Sequence, residues 1–413
     1  MRSRTHDLLT FFTTVNHISF QCPHPCLPSD VIGFSDSEIR EAFMEMTPRE
    51  RLLATVAFEP VDRPFRMETI GYWNETVQRW QDEGLPPEVD NELAALLFFG
   101  IDMQLPISIG AHEHPGFEPL FEEEVLEQGD RYTIKRNFAG QTVKVFTDGS
   151  SALPGFIDAP VKDRESWEEV KARLDPDSPG RIEPWLPFAE LAKTQPWPLC
   201  VYVPGLFGTH RHLLGFTGLM LAYRKQPELL HEISRHWVTL WKTAVSRIHE
   251  KQCPDLVSLW EDMCYKNGPM IGPDMFGTFM LPYYKELVGF LRNELEVPAV
   301  GVDTDGNMTL LIDPFVRSGV NLIWPFEVQA GMDVVKVREQ WPDQFAIWGG
   351  MDKRALFTDK ETIEAEVMRV VPAMLEARGY IPSIDHAVPP EVSLDNWKYF
   401  LELVRDTGER FCE

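Results

Sequence analysis

Short apolar runs give way to polar, Gly-rich or Pro-rich residues at intervals along residues 64–387, and segments with apolar positions at helical spacing lie between most of them. Eight runs read as strands: PFRMETIGY (64–72), DMQLPISI (102–109), PLCVYVPG (198–205), DLVSLWED (255–262), AVGVDTDG (299–306), NLIWPFE (321–327), FAIWGGMD (345–352) and YIPSIDHA (380–387). Helices are expected from Thr47, where TPRERLLATVAFE supplies a cap and an early proline, and over 227–251, 274–294, 331–341, 361–377 and 394–404. Alternation of strand and helix argues for parallel strands joined by crossover helices, and eight of them argue for closure into a (β/α)8 TIM barrel. A doubly wound open sheet is the alternative, but no GxGxxG opens a helix after any strand, so its dinucleotide signature is missing.

The interval 110–197 breaks this rhythm after the second strand. RYTIKRNFAG and QTVKVFTDG, parted by a glycine corner, read as a β-hairpin insertion, and ESWEEVKARL and EPWLPFAELAK return the chain to the barrel as helices. Residues 1–43 show no clear period and read as a disordered extension or an over-long start, with the domain running over 44–413. Within them His17, Cys22, His24 and Cys26 could form a zinc knuckle, although CxxxC without a second matched pair is a weak signature.

Composition narrows the class. The formal charge of −25, from 64 acidic and 39 basic residues, repels phosphate backbones and anionic membranes, so neither nucleic acid nor membrane is an expected partner. Six scattered cysteines suit free thiols in a reducing cytoplasm rather than a disulfide scaffold.

Strand ends of a barrel all open on one face, where residues distant in sequence converge. That makes Glu261, Asp262, Asp303, Asp305, Asp385 and His386 the candidate chemistry. Asp303 and Asp305 alternate on one strand end with Gly306 beside them; convergent carboxylates hold a divalent cation or a proton, and a solvated Asp-Gly turn is the plain alternative. His386, stiffened by the following AVPP, suits metal ligation or proton transfer, while Glu261 is equally suited to capping a helix. Cys264 has no evident base beside it. Tyr72, Trp73 and Tyr265 are placed to line the mouth, Lys353 and Arg354 to hold an anionic group, and His112 and His114 form an HxH pair on a loop.

TPRERLLATVAFEPVDRP (47–64), WEDMCYKNGPMIGPDMF (260–276), VDTDGN (302–307), PFEVQAGMDV (325–334), GGMDKRAL (349–356) and DHAVPPEVSLDNW (385–397) together resemble the uroporphyrinogen decarboxylase superfamily, in the expected order. The resemblance implies a TIM barrel and one of two chemistries: cofactor-free porphyrinogen decarboxylation, or zinc-dependent methyl transfer with corrinoid proteins or related carriers. The arginine loop of the decarboxylases is replaced by METIGYWNE, and their aspartate after the second strand by PISIG. Where the methyltransferases carry HxCG and a late cysteine, this chain has Asp303-Thr304-Asp305-Gly306 and His386, implying a harder ligand set of Asp303, Asp305 and His386 for zinc or another divalent metal.

The resulting expectation is an enzyme of methyl transfer or demethylation acting on a small molecule, with a corrinoid protein or tetrahydrofolate as methyl partner. His386, Asp303, Asp305 and Glu261 are the expected catalytic residues. A metal-free carboxy-lyase, with His386 protonating the carbanion and Lys353 or Arg354 gripping a carboxylate, is the rival; a non-catalytic barrel presented to a corrinoid partner is the third reading.

Overall fold

The computed structural model describes residues 45–68, 70–147 and 154–412. The chain divides into Met1–Thr47 and Pro48–Glu413, and the architecture that follows belongs to the second unit. The expectations for residues 1–43, the zinc knuckle included, lie outside the described residues.

Seven parallel strands form the central sheet. In spatial order they are β1 (Leu105–Ser108), β6 (Leu199–Pro204), β7 (Leu256–Trp260), β10 (Ala299–Asp303), β11 (Leu322–Trp324), β12 (Ala346–Trp348) and β13 (Tyr380–Ile381). Leu256, Ala299, Leu322 and Ala346 open their strands and meet Leu52 and Val56 of the helix Pro48–Val56 in one core cluster. That helix therefore plugs the N-terminal end of the barrel, and the C-terminal end is left for chemistry.

Among the described residues the eighth expected strand does not form. Residues 64–68 and 70–72 occupy its place, with Phe65 in the core cluster and Met67 packed against it, and the ladder contact among them is an isolated bridge from Tyr72 to Val388. Side chains have taken some of the backbone groups that a ladder would use, while the Arg66 carbonyl accepts the Asp102 amide (2.7 Å). The Arg66 amide donates to Asp102 Oδ2 (2.9 Å), and the Trp348 indole donates to the Met67 carbonyl (3.2 Å). Asp102 also holds both ends of the Arg63 guanidinium at 2.8 Å, so the segment is pinned from its side rather than zipped.

The insertion is larger than a hairpin. β2 (Glu124–Gln128), β3 (Tyr132–Arg136), β4 (Thr142–Phe146) and β5 (Gly155–Asp158) make a four-stranded antiparallel sheet. Its central turn is tied by Asn137 Oδ1, which accepts from the Ala139 and Gln141 amides, while Gly140 at φ 76° lies against the Phe121 ring. β8 (Cys264–Tyr265) and β9 (Gly268–Pro269) form a small ribbon after β7.

Two helices also depart from expectation. The segment 274–294 breaks at Met280 (φ −122°, ψ −50°) into Pro273–Phe279 and Leu281–Asn293, because Pro282 cannot continue the preceding turn. Leu206–Lys225 is a helix that the apolar pattern did not announce, interrupted at Gly215 (φ 65°). Among the described residues no helix is long and apolar enough to cross a membrane, and Cys200, Cys253, Cys264 and Cys412 are free thiols.

Candidate functional site

Asp303 closes β10 in register with Trp260 of β7 and Trp324 of β11, so all three reach the mouth at one level. Below them Gly301 makes room for an indole: a Cβ there would lie 2.4 Å from the Trp324 ring. Trp324 and Trp348, 5.1 Å apart and almost wholly buried, fill the axis and give the mouth a floor. Burial, then the Asp305 and Asp262 carboxylates, push Asp303 well above the usual carboxylate range, against a hydrogen bond from Trp324. Its neutral acid form is favoured.

The loop after β10 then brings Asp305 to His386, Nε2 to Oδ2 at 3.5 Å. Glu327, three residues beyond β11, joins them, and one ligand atom from each of Asp305, Glu327 and His386 falls within 4.8 Å of the others. Asp305 Oδ1 is buried without a hydrogen-bond partner among the described residues. Glu327 Oε2 accepts the Gly306 amide (2.9 Å), and Gly306, at φ 79°, is pressed against the Cys264–Tyr265 backbone where a Cβ would meet it at 2.7 Å. The loop is therefore fixed from two sides.

Lys353 stands behind this group, its Nζ 3.8 Å from Glu327 and 3.5 Å from Asp385. Asp385 is fully buried and accepts the Val328 and Lys353 amides, so one carboxylate pins the loops after β11 and β12. Burial raises Asp385, and the Lys353 charge opposes that rise.

Of the residues singled out from sequence, the fold brings Asp305 and His386 together and sets Asp303 on the floor side of them, coupled by charge but outside the three-residue group. Glu261 is engaged elsewhere. Fully buried, it accepts the Leu206 amide (2.8 Å), the Gly208 amide (3.0 Å) and the Tyr284 hydroxyl, capping the helix Leu206–Lys225. Burial lifts its carboxyl to about 7 despite those donors.

Tyr72 packs in an aromatic cluster with Trp80, Phe99 and Trp397. Trp73 and Tyr265 are exposed, Arg354 is paired with Asp352, and Lys353 is committed to its two acids. Cys264 is buried, and that burial pushes its thiol up to about 12, away from the thiolate. Sequence reasoning passed over Glu327, although it ends the run NLIWPFE as the singled-out acids end theirs; it also passed over Arg211, which pairs with Asp262 at 2.8 Å.

Two oxygens and an imidazole nitrogen around a shared point form a hard donor set that suits a divalent cation. The solved structure of a methyltransferase from Methanosarcina mazei superposes with a TM-score of 0.61, covering 88% of this chain and 99% of that one at 16% identity, which establishes the fold. Among curated proteins, the uroporphyrinogen decarboxylase of Alcanivorax borkumensis is 25% identical over 226 residues, and that of Chlorobium limicola 26% over 148. These matches cover 52% and 34% of this chain, but only 58% and 40% of the relatives. The sequence profile described as Uroporphyrinogen decarboxylase (URO-D) matches residues 139–407. With that profile spanning more than half of its length, the chain belongs to the uroporphyrinogen decarboxylase family.

Proposed function

We propose that the chain is a methyl-transfer or demethylation enzyme of this family, acting on a small molecule, with a corrinoid protein or a pterin such as tetrahydrofolate as methyl partner. The observation that carries this reading is the convergence of Asp305, Glu327 and His386 within 4.8 Å, with a buried Asp305 oxygen that no described residue satisfies. Those three residues would hold zinc or another divalent metal. Such an ion supplies Lewis acidity toward a heteroatom that gains or loses a methyl group.

The chain's own residues contribute the rest. Asp303, held toward its neutral form, offers a proton at the floor of the mouth to a leaving alkoxide or amine. Lys353 and the Gly306 amide hold the two Glu327 oxygens, and Asp385 fixes the loops from which Glu327 and Lys353 project. Trp324 and Trp348 close the barrel axis below and keep water out from that side.

The rival carboxy-lyase reading draws on the curated relatives, but Arg66, Arg354 and Lys353 give it little support. Arg66 is turned to Glu409 (2.7 Å), Arg354 to Asp352 and Lys353 to Glu327 and Asp385, so none of these cations is uncommitted. Elemental analysis of the purified full chain, with a methylcobalamin demethylation assay followed by absorbance, tests the proposal. Stoichiometric metal that is lost in Asp305→Asn and His386→Ala is expected. Metal-free protein that refuses zinc, or turnover of uroporphyrinogen on the order of 1 per second, would overturn it.

A further inference from the structure

Beside the acids, β1, β6 and β7 end in different chemistry. Trp260, in register with Asp303, is flanked by the rings of His112 at 6.2 Å and His212 at 5.8 Å, and the Arg211 guanidinium lies 5.1 Å from its centroid. Behind them His114 Nδ1 accepts two backbone amides, Gly116 at 3.2 Å and Phe117 at 2.9 Å. Those two donors fix the tautomer: the proton is on Nε2.

That N–H is buried and has no acceptor among the described residues, and His212 Nε2 is likewise buried without a partner. His114 is 3% exposed and His212 9%. Burial pulls their imidazoles down to about 4 and about 3, so both are uncharged at neutral pH and can serve as N–H donors. The positive charge comes from Arg211, which spends one N–H on the Asp262 carbonyl and one on its carboxylate, leaving the others of its five. The turn Asn137–Gln141 of the insertion covers the pair, with Gln141 bonded to the His212 carbonyl (3.1 Å) and Phe138 6.3 Å from the His114 ring.

Buried polar nitrogens are almost always hydrogen-bonded, and two unsatisfied rings beside a guanidinium mark a place for an acceptor. We propose that Arg211, His112, His114 and His212 form the subsite for an anionic group, a carboxylate, sulfonate or phosphonate, at the far end of the small substrate or methyl acceptor. The inference rests on the reading of the mouth as the reacting site. A ligand anchored there by its anion directs its other end across Trp260 toward Asp303, Asp305 and His386, so the division of charge within one mouth orients it.

The test uses the full chain with histidine imidazoles labelled with 15N and no metal added, titrated with propionate, propanesulfonate, propylphosphonate and neutral propionamide. Saturable shifts of the His114 and His212 Nε2 resonances with at least one anion, and none with propionamide, are expected; which anion binds best names the group. Arg211→Gln should weaken that binding by at least about tenfold, as loss of a charge-assisted contact does, and exposed His112→Ala by less. His212→Phe should abolish it, with His212→Gln, which keeps an N–H, as the variant to use if the phenylalanine form does not fold. Resonances that respond to no anion, that respond equally to propionamide, or that report only a trapped water overturn the proposal. Zinc uptake is read separately: a chain that takes zinc but no anion loses this subsite and keeps the proposed function, and the reverse result does the opposite.

Discussion

Glu261 and Asp305 follow neighbouring strands, β7 and β10, and face opposite situations. Glu261 meets two amides at a helix N-terminus and a tyrosine hydroxyl, so its oxygens are satisfied within the protein. Asp305 has an imidazole at 3.5 Å and one buried oxygen with nothing assigned to it among the described residues. The same residue class just past the end of a barrel strand is a structural clamp in one place and, on the proposed reading, a metal ligand in the other. What separates them is whether a helix begins next door.

The largest effect should come from the clamp. Glu261→Ala leaves three buried donors unpaired and should cost roughly 3 kcal/mol or more in denaturant unfolding; an unchanged midpoint would remove the capping role. Next, Asp305→Asn, Glu327→Gln and His386→Ala should each weaken divalent-metal binding at least about tenfold, the loss seen even for outer partners of a metal. The stability of these variants should shift by only about 0.5 kcal/mol, since all three side chains keep some exposure. Equal destabilisation of both groups would erase the contrast.

The pH dependence sharpens it. Glu261 titrates near 7 when folded and near 4.5 otherwise, so the folded state holds its proton more tightly. The stability this confers is fully present below about pH 4.5 and is lost as pH rises through about 7. Glu261→Gln removes that titration, so the stability difference between parent and variant should fall by on the order of 2 kcal/mol from about pH 5 to about pH 8. A flat difference would mean that the amides and the tyrosine already outweigh burial. The smallest effects belong to Tyr265→Ala and Arg354→Ala, exposed and changing stability by less than about 1 kcal/mol; larger losses in melting experiments would show packing that their surroundings do not reveal.

Seven strands were legible because their inward and outward residues are both apolar over short runs with polar ends, as β6 and β7 show. The segment 64–72 also begins and ends in apolar residues, but a hydrogen bond to the Asp102 carboxylate and one from the Trp348 indole, both distant in sequence, stand in place of a ladder. β2 and β5 are exposed on both faces, so no alternation marks them. The helix Leu206–Lys225 buries residues around most of its circumference and therefore lacks a polar stripe. At the site, residue type and strand-end position pointed to Asp303, Asp305 and His386, while the helix that claims Glu261 was itself unseen. Glu327 follows Phe326, whose φ of 63° turns the chain in a way no pattern of polarity announces.

The indole that Gly301 admits has a kinetic corollary. With Trp324 and Trp348 stopping the axis and the helix Pro48–Val56 packed against the strand starts, the barrel axis is blind rather than a passage. Whatever enters along that axis leaves through the same opening. On the proposed reading, two ligands meeting beside Asp303 and His386 would therefore either crowd that opening together or take turns at it, and each product would obstruct the next arrival until it had backed out.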